Sequence, residues 1–163
     1  MSITSHSASS LVFRRTFVLG LLLSSVFLPM RLAAQAPRVV EIVGTDDMKY
    51  SVTSITAKPG EQILIRLTAK GAMPKVAMAH NVVVLQLKTD VDAFVKAGMT
   101  ARATDYIAPA DKAKVIAATK LVDNGEKAEV TFKAPTAPGS YPFVCTFPGH
   151  FAAGMKGTLL VKK

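Results

Sequence analysis

The stretch Tyr141-Pro-Phe-Val-Cys-Thr-Phe-Pro-Gly-His-Phe-Ala-Ala-Gly-Met155 is an apolar, strand-like run that ends at a cysteine and opens into a loop. The loop carries two more soft donors, so Cys145, His150 and Met155 fall within one short segment. A thiolate, an imidazole and a thioether, joined by a second imidazole, match copper in a trigonal His₂Cys site with a weak axial methionine. His80 supplies that second imidazole, because the chain has only three histidines and the third, His6, lies in a leader-like segment. Singly, each residue has a plainer reading: a lone cysteine packs as a small hydrophobe, a strand-start histidine is structural, and a methionine fills a core. Their coincidence in one donor set carries the metal reading.

Upstream and downstream of this loop, period-two and β-branched runs predict strands near residues 38–43, 50–56, 62–68, 81–87, 115–121, 128–133, 139–145 and 157–162. Turn signals at Lys58-Pro59-Gly60, Asp123-Asn124-Gly125 and residues 135–139 separate several of them. Many short strands with such punctuation indicate an all-β antiparallel sandwich of about eight strands with Greek-key connections. One segment departs from the pattern. Residues 90–97 begin with acids and are followed by Gly98, the signature of a short helix, and a second helical turn is expected over 109–114. Residues 89–114 therefore form an excursion outside the sheets.

The N-terminal 36 residues read as a cleavable export signal and residues 37–163 as one domain. Arg14-Arg15 precede an apolar run, Phe17 to Leu28, too short to span a bilayer comfortably, and Ala34-Gln35-Ala36 offers a cleavage pattern, with cleavage after Ala34 the alternative because Pro37 is a poor first residue. Arg14-Arg15-Thr-Phe-Val-Leu resembles a twin-arginine signal; a general secretory signal and an uncleaved anchor are the alternatives. The signal holds Arg14, Arg15 and Arg31 and no acid, so its removal lowers the formal net charge from +9 to +6. The lysines are scattered, with no basic–aromatic stripe, which argues against nucleic acid. A single cysteine in an exported domain is a liability unless something occupies it, and metal ligation does so.

At the loop the match becomes specific. Cys-Thr-Phe-Pro-Gly-His (145–150) resembles the ligand loop of the azurins, small blue-copper proteins of the cupredoxin family. So do Met73-Pro74-Lys75, Met78-Ala79-His80-Asn81, Thr119-Lys120-Leu121, Gly125-Glu126-Lys127 and Met155-Lys156-Gly157-Thr158-Leu159, and the likeness extends over residues 39–162. The resemblance implies a cupredoxin-type Greek-key β-sandwich, with residues 89–114 as the helical flap. It implies His80, Cys145 and His150 as strong copper ligands, Met155 as the weak axial one, and the Ala79 carbonyl on the opposite axial side. It assigns Asn81 to tying the two ligand loops together.

Four departures stand out. Four residues, Phe151 to Gly154, separate His150 from Met155, a plastocyanin-like spacing where azurins have three. The paired cysteines of azurins are absent, Val82 stands where azurins carry tryptophan, and Ala118 replaces a non-ligand histidine.

The function implied is one-electron carriage in the periplasm by a monomeric, non-enzymatic protein, with copper cycling between Cu(II) and Cu(I). Partners would be redox proteins such as c-type cytochromes or a terminal reductase or oxidase. They would dock where the His150 edge emerges through an apolar patch of Met48, Met73, Phe147 and Pro148, with Phe151 as an addition. No stable membrane insertion is expected once the signal is removed. The alternative from another class is a periplasmic copper-binding chaperone or storage protein. A copper-enzyme domain would need more histidines than the two that remain.

Overall fold

The computed structural model describes residues 36–163. The expected export signal, with Arg14-Arg15 and His6, lies outside the described residues apart from Ala36. Among the described residues no helix is long and apolar enough to cross a membrane.

Nine strands form two sheets: β1 (Arg38–Thr45), β2 (Lys49–Tyr50), β3 (Ser54–Ala57), β4 (Gln62–Lys70), β5 (Val83–Leu85), β6 (Val115–Ala118), β7 (Lys127–Lys133), β8 (Gly139–Val144) and β9 (Lys156–Val161). One sheet has the order β2-β1-β4-β7 and the other β3-β9-β8-β5-β6. The sheets are mixed rather than purely antiparallel, because β1 runs parallel to β4 and β3 parallel to β9. Both pairings join strands distant in sequence, which local periodicity does not encode.

The strand expected over 50–56 is two strands. β2 pairs with β1 in one sheet and β3 with β9 in the other. Residues 51–53 carry the chain across the corner, held by Ser51 N–H to the Val43 carbonyl (2.9 Å) and Thr158 N–H to the Thr53 carbonyl (2.9 Å). A strand that changes sheets must leave its first ladder.

The β4 residues Ile63, Ile65, Leu67 and Ala69 face inward at every second position and pack with Ile42, Val82, Val84, Phe143, Leu159 and Val161 into the inter-sheet core. Fully burying aliphatic side chains of this kind is worth about 1.5–3 kcal/mol each. Val82 to Leu85 is a continuous apolar run because β5 is covered on both sides. Val83 and Leu85 point away from the inter-sheet core and meet Phe94 and Val144 in a second cluster.

Phe94 belongs to α1 (Val91–Gly98), and Asp90 caps that helix by accepting from the Ala93 amide at 3.0 Å. Gly98 is the last helical residue rather than the one beyond the end. Its role is close approach: a Cβ there would stand 2.1 Å from the Tyr106 carbonyl oxygen. The helical turn Pro109–Lys114 is present, and a further one, Arg102–Thr104, precedes it. Helix and turns form the flap, which packs on the outer face of the second sheet at β5, β6 and β8.

Candidate metal centre

Cys145 follows β8 directly, and its amide donates to the Met155 carbonyl at 3.1 Å, closing the loop between β8 and β9 at its neck. Inside the loop His150 N–H reaches Phe147 O (3.1 Å), Ala153 N–H reaches Gly149 O (3.0 Å) and Met155 N–H reaches His150 O (2.9 Å). The four residues between His150 and Met155 are thus wound into turns, and Met155 is returned to the interior with no exposed surface.

His80 arrives from another part of the chain. An isolated bridge pairs it with Val122, His80 N–H to Val122 O at 3.0 Å and the reverse at 2.8 Å. The potential ligand atoms of His80, Cys145 and His150 all lie within 4.8 Å of one another, and all three residues are buried. Cys145 Sγ is 3.4 Å from His150 Nδ1.

This cluster passes a physical test for a bound ion. Two donors each about 2.0–2.3 Å from one metal stand at most about 4.6 Å apart, close to the span observed. His80 Nδ1 is buried with no hydrogen-bond partner, a costly state for a polar atom in a protein interior. A metal satisfies it. The donor set of one thiolate and two imidazoles suits copper.

Met155 and His80 converge on Gly44. A Cβ built at Gly44 would stand 3.0 Å from Met155 Cε and 3.0 Å from His80 Cγ, so the thioether arm and the imidazole share one edge of the site. The Ala79 carbonyl oxygen lies 3.9 Å from Cys145 Sγ on the His80 side.

Asn81 spans the two ligand segments. Its Oδ1 accepts from the Thr146 amide at 2.9 Å, and its Nδ2 donates to Thr146 Oγ1 at 2.8 Å and to the Asp105 carbonyl at 3.3 Å. Thr146 Oγ1 donates to the same Asp105 carbonyl at 2.7 Å. The buried Tyr50 hydroxyl donates to the Asn81 carbonyl. Tyr50, Gly44 and the Asp105 carbonyl carry no residue-type signal in the sequence, whereas Thr146 lies inside the Cys-Thr-Phe-Pro-Gly-His motif.

Burial sets the electrostatics. It raises the Cys145 thiol to about 11, against the opposing pull of the Asn81 and Phe147 amides and the Tyr50 hydroxyl. Burial and then the neighbouring His80 lower His150 to about 4. His80 is lowered by burial, partly offset by Asp46. Tyr50 is raised well above its ordinary value by burial, with the neighbouring Cys145 adding to the shift. Without metal, the cluster is a thiol and two neutral imidazoles.

The expected docking patch is placed unevenly. Met73 is exposed, whereas Met48, Phe147 and Pro148 are half-buried. The Asp46 carboxylate joins the Met48 turn to the Met73 loop by accepting from the amides of Ala72 (2.7 Å) and Met73 (3.2 Å). His150 is only 2% exposed, so its imidazole lies beneath Phe147, ring centroids 4.8 Å apart, instead of projecting through the surface. Phe151 does not join the patch; it packs with the helix-side cluster under the Lys156 ammonium.

Comparison with known proteins agrees with this geometry. Residues 38–162 match the family described as copper binding proteins, plastocyanin/azurin family. Azurin of Pseudomonas aeruginosa is 41% identical over 145 residues, covering 86% of this chain and 94% of that one. Outer membrane protein H.8 of Neisseria meningitidis is 40% identical over 113 residues, 68% of this chain and 61% of that protein's length. Among solved structures, auracyanin of Roseiflexus castenholzii superposes with a TM-score of 0.69 at 31% identity, covering 79% of this chain and all of that one. An azurin of Methylomonas sp. strain J gives 0.68 at 33% identity, over 78% and 100%. Fold, donor cluster and relatives converge: this chain belongs to the plastocyanin/azurin family of copper-binding proteins, and is a cupredoxin with a single His–Cys–His copper site.

Proposed function

We propose that residues 37–163 form an exported, periplasmic carrier of single electrons, with residues 1–36 removed as its signal. The observation that carries this reading is the buried convergence of His80, Cys145 and His150 donors within 4.8 Å, one of them an unpartnered imidazole nitrogen. Copper bound there supplies a one-electron couple.

The chain's own residues supply rigidity and access. His80, Cys145 and His150 would hold the metal and Met155 would offer its thioether as a weak further donor, with the Ala79 carbonyl 3.9 Å from the thiol sulfur. Asn81 and Thr146 lock the two ligand segments to each other, so the donors keep their positions when charge changes; supports behind a ligand fix its orientation and tune the metal. The covering side chains exclude water from the thiolate. Phe147, its ring tilted against His150, and the half-buried Pro148, with Met48 and Met73, offer a partner an apolar approach. Contacts between redox partners are typically small and short-lived, which fits a monomeric shuttle meeting c-type cytochromes or a terminal reductase or oxidase. The same burial argues against a copper chaperone or store, since a donor cluster with 0–2% exposure is poorly placed to hand metal on.

Adding copper(II) to the purified mature protein tests the proposal. The expected result is an intense blue copper–thiolate absorption that bleaches with one electron per protein. A colourless protein that takes up only copper(I) would overturn the carrier in favour of the chaperone.

A further inference from the structure

Beside the copper site a cavity of about 220 Å³ lies between the flap and the ligand loop. Its aromatic wall is Tyr106 and Phe147, which meet edge-on with centroids 5.4 Å apart, and Phe147 rests on His150. Lys75, Arg102 and Lys120 bring three cations to the lining against one carboxylate, Asp105. Lys75 Nζ is matched by Glu126 at 3.0 Å. Among the described residues, the exposed Arg102 and Lys120 are not engaged in any ion pair.

The wall is fixed to the metal centre. Asp105 and Tyr106 both adopt left-handed backbone, φ 53° and 59°. Non-glycine residues there cost of order 1–3 kcal/mol each and persist only where surroundings over-determine them. Here the surroundings are Asn81 and Thr146, whose side chains donate to the Asp105 carbonyl. The groups that lock the ligand loops also shape the cavity.

The volume is below the roughly 300–1,000 Å³ of pockets that take whole small-molecule ligands, but it accommodates one acidic side chain. A guanidinium matches a carboxylate with two parallel hydrogen bonds.

We propose that this cavity is the docking socket for an aspartate or glutamate on the surface of a protein redox partner, an inference that rests on the electron-carrier reading. A carboxylate seated between Arg102 and Lys120 places the partner's surface over Phe147, one ring contact from His150. The socket sets the partner's orientation, and the apolar patch supplies contact area.

The test uses the copper(I)-loaded, isotope-labelled mature protein titrated with hexaglutamate peptide at low ionic strength, read by amide chemical shifts. Expected are shifts concentrated at residues 102–106, 120 and 147. The paired change Arg102→Ala with Lys120→Ala should weaken binding roughly tenfold, as two exposed charge pairs of up to ~1 kcal/mol each allow.

The control is a second basic cluster, where Lys58 and Lys162 line a separate cavity of about 350 Å³ with Arg38 and Glu61. Lys58→Ala with Lys162→Ala should change binding by no more than about twofold. Equal losses in both pairs, shifts spread over the surface, or no shifts at all would overturn the socket. The blue absorption of the oxidised protein, measured without peptide, reports separately on the electron-carrier reading.

Discussion

Polar groups are handled in opposite ways at the copper end and on the face of the β2-β1-β4-β7 sheet. On the sheet, Glu41, Arg66 and Glu129 stand in one cross-strand row, and Arg66 holds Glu41 at 2.6 Å and also pairs with Glu129. These charges remain in water, where pairing gains little. At the copper end no charge is buried in the metal-free protein. Neutral amides and hydroxyls are sealed inside instead and satisfied one by one, with the His80 nitrogen left over. An unmade hydrogen bond in the interior costs more than a made one contributes at the surface. The sealed network is therefore the costlier of the two to disturb.

The sharpest break in that contrast is Cys145→Ser. It removes the thiolate, and the expected outcome is complete loss of the blue absorption with the fold retained by circular dichroism. Next is Asn81→Ala, which strands the Thr146 amide and loosens the Asp105 carbonyl. We expect a loss of about 2–3 kcal/mol in denaturant unfolding together with a shifted reduction potential. A variant as stable as the parent would show that the network does not hold the ligand segments.

Gly44→Ala brings a methyl group to 3.0 Å from both Met155 and His80. Crowding of this kind costs roughly 1–3 kcal/mol, and the copper spectrum should change with it, because His80 belongs to the donor cluster and Met155 is the proposed axial donor. An unaltered spectrum would place Met155 outside copper's reach.

The metal-free protein should also lose stability as pH falls from about 6.5 towards 4. Both buried histidines have lowered values when folded, so in that window the unfolded chain binds more protons and acid favours it. Thermal melts with and without copper would show the slope only in the metal-free form, since ligated nitrogens take no proton while metal stays bound. The smallest effect is expected for Arg66→Ala, whose melting temperature should match the parent within error. A large drop would reverse the comparison.

Much of the site was legible in the chain because soft donors are scarce. One cysteine and two histidines in the domain leave few ways to build a mixed thiolate–imidazole cluster, and the loop 145–155 presents two of them side by side. Asp90 announced α1, since a capping carboxylate works through local geometry. Other features had no such signal. The run 50–56 alternates like one strand although the chain turns from one sheet to the other within it. Gly98 has the look of a helix stop, yet it is there for the Tyr106 carbonyl. His150 was expected at the surface and lies beneath Phe147.

The sequence by itself determined which metal chemistry this protein can hold and that its domain is a β-sandwich, because donor softness and residue period are local properties. Only the tertiary structure decided the parallel pairings, the convergence of Gly44, His80 and Met155, and the bonds joining Tyr50, Asn81, Thr146 and Asp105. Each of these depends on where distant backbone groups meet, and no single residue type records that.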